Sequence, residues 1–280
     1  MSKYSRLSST LLLVALSSGC ALLRTKTPAP SSPESYFTGT KGCFLLFNMK
    51  TKTFEKVIGE ASCKERLPAA STFKIPLAVM AFDAKILKDE NTVLKWDGKK
   101  DAREEVNRDH SAKTWMSDSV VWYSQRIAKK LGKRRLEMSL QSFRYGNQDL
   151  RGGLTQAWLL PPTTDKGVLK ISAFEQVEFL KHLWSDTLPA SKRAMRLARD
   201  ITYLETSPKG FVLHGKTGSN FYDADRKIHM GWFIAHIQST DKDYIAVTNF
   251  SDLAPTEIPG YGGMRAKRIM LQILADSDLW

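Results

Sequence analysis

Cysteine and histidine are scarce in this chain, three and five among 280 residues. No histidine falls near a cysteine at ligand spacing, and no His-x-His-x-Asp cluster occurs, so no metal site is expected. Internal repeats are lacking, which removes repeat architectures. The apolar run Leu11-Leu12-Leu13-Val14-Ala15-Leu16 is too short to span a bilayer. Acidic residues are outnumbered, 29 against 42 basic, for a formal net charge of +13. Length and a hydrophobic content of 42% suit one substantial globular domain.

That short run makes sense as an export signal. Lys3 and Arg6 precede it, and small residues end it at Ser17-Ser18-Gly19-Cys20. Residues 1–20 are therefore expected to be a signal peptide, with the mature protein in a bacterial periplasm. Gly19-Cys20 also resembles a lipoprotein processing site, although Leu16 lies one position further from the cysteine than usual. A lipid anchor through Cys20 and ordinary cleavage nearby both stay open. Residues 21–38, with Pro, Ser and Thr concentrated between Thr25 and Ser35, read as a flexible tether. In an oxidising compartment Cys43 and Cys63 are expected to pair, the alternative being two buried thiols. Export also argues against nucleic acid as partner of the basic surface, which favours anionic substrates instead. The cluster Lys129-Lys130 and Lys133-Arg134-Arg135 reads as a solvated helix face.

Strand-like runs at Gly42–Asn48 and Thr53–Ile58 form an expected hairpin. A helix should begin near Ser71, because Pro76 is tolerated best in a first turn. The pattern stays mainly helical to about Ala198. Phe211–His214, Met230–Ile237 and Tyr244–Phe250 are then strand-like, Gly260–Gly263 reads as a loop, and Met264–Leu274 as a closing helix. Strands at both ends with helices between predict an α+β fold: a central antiparallel sheet made from both termini, flanking helices and an inserted helical region. Residues 39–280 form the expected catalytic domain.

Ser71-Thr72-Phe73-Lys74 puts a hydroxyl and an amine on one helix face. A serine becomes a nucleophile when an adjacent base takes its proton, and a lysine serves only when neutral. S-x-x-K is the nucleophile motif of penicillin-recognising enzymes. Lys216-Thr217-Gly218 closes the first late strand. A cation and a hydroxyl on an edge strand suit a substrate carboxylate, and glycine admits a ligand close to the backbone. The amides of Ser71 and Ser219 would form an oxyanion hole. A second serine is needed for proton transfer. Ser117-Asp118-Ser119 looks like an altered S-D-N element, whereas Ser119-Val120-Val121 matches S-x-V.

Tyr145-Gly146-Asn147 decides between them, because Y-G-N accompanies S-x-V. Through Ser71–Lys74, Ser119–Val121, Tyr145–Asn147, Trp158-Leu159 and Lys216–Gly218, in that order, residues 40 to 275 resemble the class D, oxacillin-hydrolysing serine β-lactamases. The resemblance implies hydrolysis of a β-lactam through an acylated Ser71, with Ser119 and Lys216 moving protons to the ring nitrogen. Thr217, Gly218, Ser219 and Arg265 would bind substrate, Arg265 at its carboxylate. Val121, Tyr145, Asn147, Trp158 and Leu159 would support the site. No E-x-x-L-N pattern between Tyr145 and Lys216 supplies a separate glutamate base, so the base must be Lys74.

Apolar neighbours Phe73, Ile75, Val120, Val121 and Trp158 are available to depress its pKa. The resemblance further implies that Lys74 adds carbon dioxide, becoming N6-carboxylysine with Trp158 as donor. Carbon dioxide or bicarbonate would be the sole accessory. His214 has no evident partner and reads as structural. Two rivals share the S-x-x-K and K-T-G elements: a penicillin-binding transpeptidase and a β-lactam sensor. The substrate spectrum and oligomeric state stay open.

Overall fold

The computed structural model describes residues 32–223, 225, 227–256 and 261–280. The expected signal over residues 1–20, the acceptor Cys20 and residues 21–31 of the expected tether lie outside the described residues. The remainder of that tether belongs to the fold. A 3-10 turn, Pro33–Phe37, buries the Phe37 ring against Gly42, and Tyr36 donates its hydroxyl proton to Asp276. Two aromatic side chains outweigh the surrounding Pro and Ser, whose composition had suggested a free segment.

The N-terminal hairpin forms as read. β1 (Thr40–Asn48) pairs antiparallel with β2 (Thr53–Ile58). A short helix not foreseen in the sequence, α1 (Glu60–Lys64), brings Cys63 against Cys43, and the two buried sulfurs are bonded with Cα atoms 5.0 Å apart. β3 (Leu67–Pro68) leads into a 3-10 turn, Ala70–Phe73, that continues as α2 (Lys74–Asp83). Pro76 lies in the first turn of α2, where its missing amide proton breaks no hydrogen bond. Every residue from Lys74 to Phe82 is buried. A stretch covered all round runs through the core, and Lys74 is taken there with it.

The inserted region follows. β4 (Val93–Leu94) pairs with β5 (His110–Ser111), and α3 (Ala112–Ser117) and α4 (Val121–Ser142) come next. β6 (Lys170–Ile171) returns to pair with β3, ahead of α5 (Ala173–Trp184) and α6 (Lys192–Asp200). Ser111, Ser172 and Ser191 cap α3, α5 and α6, each side chain accepting from a backbone amide three residues on.

β7 (Tyr203–Thr206), β8 (Val212–Asp223), β9 (Ile228–Gln238) and β10 (Asp243–Asp252) then complete a six-stranded sheet in the order β2-β1-β10-β9-β8-β7. β1 lies against β10, Thr40 opposite Asp252 and Asn48 opposite Tyr244, so the sheet does join the two ends of the chain. The closing helix α7 (Gly262–Asp276) covers one face, burying Phe44, Phe233, Phe250 and Met270. The other face buries Leu45, Trp232, Ile234 and Val247 together with α2 and the inserted helices. The α+β class is as expected.

One strand boundary is corrected. Lys216-Thr217-Gly218 lies within β8, not at its end, because the ladder with β9 continues unbroken through Lys216–Ile234, Thr217–Phe233 and Gly218–Trp232. β7 pairs only with Val212–His214. From Lys216 onward β8 therefore has a strand neighbour on one side only.

Candidate active site

The chain reaches Ser71 through a fixed reversal. Trp232 Nε1 donates to Pro68 O (2.9 Å), Ala69 N to Leu169 O (3.0 Å) and Ala70 N to Trp158 O (2.9 Å). Ala70 then takes a φ of 48°, a left-handed conformation that a residue with a Cβ adopts at a cost. That turn presents Ser71, half-buried, at the head of the helix, where the first amides have no intrahelical partner. Thr72 is held by Gln176, whose Nε2 donates to its hydroxyl (2.9 Å). Phe73 stacks obliquely on Trp158, ring centroids 5.0 Å apart.

Lys74 Nζ lies 3.2 Å from Ser71 Oγ, so S-x-x-K delivers the contact its spacing predicts. The lysine is 1% exposed. Burial pushes its pKa well down, and the charges of Lys216 and Arg103 push the same way. Lys216 is buried too, its Nζ donating to Thr217 O (3.1 Å) and Oγ1 (3.2 Å). Burial, and then Arg103, bring its pKa down to about 7. A neutral Lys74 amine beside the serine hydroxyl is a competent base.

The two serine candidates are set apart by their surroundings. Ser117 is exposed, its hydroxyl donating to Asp118 Oδ1 (2.7 Å) and Thr114 O (3.3 Å). Ser119 is half-buried, and its hydroxyl makes no hydrogen bond among the described residues. It occupies the turn between α3 and α4 with φ 56°, anchored behind by Val120 N donating to Trp115 O (3.1 Å). Val120 is fully buried and Val121 half-buried at the start of α4. A strained serine with a free hydroxyl fits a proton relay better than one tied to its neighbour's carboxylate.

Tyr145-Gly146-Asn147 supports the site from behind. Asn147 Nδ2 donates to Val168 O (2.8 Å), while its Oδ1 accepts from Lys170 N (2.9 Å). Gly146, at φ 55°, has space for no side chain, since a Cβ would stand 2.0 Å from Lys170 O. These contacts bind the end of α4 to β6, and β6 pairs with β3, the strand that leads to Ser71. Tyr145 is buried under Phe73, its hydroxyl held protonated by burial. Trp158 is 1% exposed, and its indole N–H has no acceptor among the described residues. Leu159 is pinned through its carbonyl, which accepts from Asn220 Nδ2 (3.0 Å).

On β8, Gly218 fits closely under the Ser71 turn: a Cβ there would stand 3.2 Å from Thr72 Cγ2 and 3.3 Å from Ala70 Cβ. The glycine thus admits the nucleophile's own turn. Ser219 Oγ accepts from Gly263 N (2.9 Å), and a Cβ on Gly263 would stand 2.8 Å from Thr217 Cβ. Gly262 and Gly263 are accordingly the first residues of α7, not a loop. Arg265 is held in place. Its Nη1 and Nη2 donate to the two oxygens of Asp252 (2.9 and 2.8 Å), and the guanidinium lies 4.4 Å over the Phe250 ring. This pairing engages two of the five guanidinium N–H donors.

Arg103 went unnoticed in the sequence, where an arginine in a charged loop carries no signal. His214 is structural as read, its Nδ1 against Arg199 O (3.0 Å).

The family model for the penicillin-binding protein transpeptidase domain matches residues 42–275. Beta-lactamase OXA-1 of Escherichia coli is 40% identical over 209 residues, 72% of this chain and 73% of that protein. Class D beta-lactamase BAT-2 superposes with a TM-score of 0.76 at 34% identity, covering 88% of this chain and 95% of that one. The C-terminal domain of the Bacillus licheniformis BlaR penicillin-receptor superposes at 0.79 with 28% identity over the same shares, 88% and 95%. A buried amine at the nucleophile, the S-x-V turn and these relatives agree, and the chain belongs to the class D serine β-lactamases.

Proposed function

We propose that the enzyme hydrolyses the β-lactam amide of penicillin-type antibiotics through an acyl group on Ser71, conferring β-lactam resistance from an exported location. The contact between Ser71 Oγ and the buried Lys74 Nζ carries this reading. Ser71 Oγ attacks the lactam carbonyl as its proton passes to the lysine side. The developing oxyanion is met by the amides of Ser71 and Ser219. Ser119, with Lys216 beside the cleft, passes a proton to the ring nitrogen as the C–N bond breaks. The half-open edge of β8 from Lys216 to Gly218 aligns the substrate, with Lys216 and Thr217 nearest its carboxylate.

The residues around Lys74 also fit N6-carboxylation. A neutral amine, two cations and the unpartnered indole N–H of Trp158 suit a carbamate, which would supply an oxygen base in place of the amine. No other accessory group is invoked. Residues 33–280 form the catalytic unit on this reading. The described residues include no helix long and apolar enough to cross a membrane. The anchor at Cys20 and soluble release remain the two forms of the exported protein.

The likeness to the BlaR receptor domain favours a second reading, a sensor that stays acylated. Steady-state turnover of a penicillin separates them. Sustained turnover, lost together with covalent labelling in Ser71→Ala, is expected. A stoichiometric burst followed by a stall would overturn the hydrolase reading.

A further inference from the structure

We propose that the basic surface around the middle of α4 is a membrane-docking face, with Lys130, Arg134 and Arg135 against anionic phospholipid headgroups and Met138 seated just beneath them. The proposal is independent of the chemistry at Ser71 and draws only on the exported location given above.

α4 is broken at Gly132, whose backbone leaves the helix at φ 75° and ψ 160°. A Cβ there would meet nothing within 4 Å, so the glycine serves the bend and not a close contact. Lys129 and Lys130 end the first half, and Lys133, Arg134 and Arg135 open the second. All five side chains are exposed. Cations at the head of a helix are opposed by its dipole, and the first acidic residue beyond the bend is Glu137. The fold therefore gains nothing from basic residues at this place.

Their lack of partners sets them apart. Lys95, Arg151, Arg196 and Lys267 each have a carboxylate within 3.1 Å. Lys130, Arg134 and Arg135 have none among the described residues, and Lys133 has only Glu137 at 3.8 Å. The three cations line one open groove of about 710 Å³ whose apolar lining is Leu131, Met138 and Pro189. The described residues around that groove include no carboxylate. The adjoining hollow adds Lys85 beside Arg135, and its one acid, Asp83, already accepts from Ser191 N (2.8 Å).

Unmatched cations on one face call for an anionic partner. Met138 selects among such partners. It is 57% exposed on the rim of the same groove, where water gives a thioether nothing. A soluble acidic polymer would leave it bare. A bilayer interface takes phosphate and apolar side chain together, the cations at headgroup level and the methionine a few ångströms deeper. Export sets the enzyme beside such surfaces.

The test is co-sedimentation of the full exported chain with vesicles of phosphatidylcholine, alone or with about one third phosphatidylglycerol, at low and high salt. The parent should bind the anionic vesicles at low salt and leave them at high salt, and should bind the neutral ones far more weakly. The triple variant Lys130→Gln, Arg134→Gln, Arg135→Gln should bind the anionic vesicles roughly a hundredfold more weakly, about fivefold per basic residue. Removing the same charge from turns of the sheet, as Lys50→Gln, Lys52→Gln, Lys242→Gln, should cost less than about fivefold. Met138→Ser should weaken binding severalfold and keep the parent's salt dependence. The N-terminal segment is common to all these proteins and cancels in the comparison, and unchanged melting temperatures confirm that each is folded. Equal losses in the two triple variants overturn the proposal, because net charge alone would then account for binding. An undiminished Met138→Ser overturns the seat assigned to the methionine. Capture of the parent by dextran sulfate without capture by anionic vesicles also overturns the proposal, and gives the face to an acidic polymer.

Discussion

Trp158→Phe separates the two duties of that side chain. The indole is 1% exposed and packs on Phe73 at 5.0 Å, so complete truncation to alanine would open a cavity costing about 3–5 kcal/mol. Activity lost in that variant would say little. Phenylalanine keeps most of the ring and should cost under about 1.5 kcal/mol in stability. It removes the Nε1 donor, which has no acceptor among the described residues and is proposed to serve the carbamate of Lys74. A hydrogen bond to a charged group contributes about 1.5–3 kcal/mol, or roughly tenfold to a hundredfold in occupancy. Progress curves with a penicillin should therefore curve downward in Trp158→Phe at ambient bicarbonate and straighten when bicarbonate is added, while the parent stays linear at both. Thermal melting checks that the variant is folded. Linear progress in a folded Trp158→Phe without added bicarbonate would refute the donor role.

Ser119→Ala should lower kcat/KM by about a hundredfold to ten-thousandfold and Ser117→Ala by little; the reverse order would move the relay to the wrong side of Asp118. Cys63→Ser should destabilise by about 2–4 kcal/mol in denaturant titrations under oxidising conditions, and a midpoint unaffected by the substitution would deny the bridge a stabilising role. Lys216 binds its proton more weakly folded, with a pKa of about 7, than unfolded at 10.5, so the penalty is full below pH 7 and shrinks as pH rises. Stability should climb between pH 7 and 9 by up to about 1.4 kcal/mol per unit. Lys216→Met should reduce that slope, leaving the part that the buried Lys74 contributes with the same sign, and raise Tm at neutral pH while losing activity, and an unchanged slope would count against a buried, proton-poor lysine.

Much of this site was legible because its chemistry sits in contiguous motifs. Ser71 and Lys74 share a helix turn, so their contact follows from the spacing alone. The sheet of two termini was legible from strand-like runs at both ends. What escaped was set by partners distant in sequence or by backbone pairing. Lys216–Gly218 looks like a strand end because it is polar and contains glycine, yet β9 carries the ladder straight through it. Arg265 is paired by Asp252 on a different element, which the local Gly263-Met264-Arg265 pattern cannot reveal. Arg103 reaches Asp118 O, one residue before Ser119, which nothing in its charged loop announces. Residues 33–37 are held by contacts to Gly42 and Asp276, far beyond their own composition.

The place of β1 in the sheet has a consequence for how the protein is assembled. β1 lies between β2, its immediate successor, and β10, the last of the described strands to be made. A chain emerging N-terminus first can close its opening hairpin at once, but the other edge of β1 stays bare until nearly all the remaining sequence has arrived. Until then that apolar edge is a template for pairing with another chain. Assembly is consequently an event of the whole polypeptide, slow because its decisive pairing is the most distant one. A copy cut short before β10 would hold two unjoined pieces of sheet, β1-β2 and β7-β8-β9, and would not amount to a reduced enzyme.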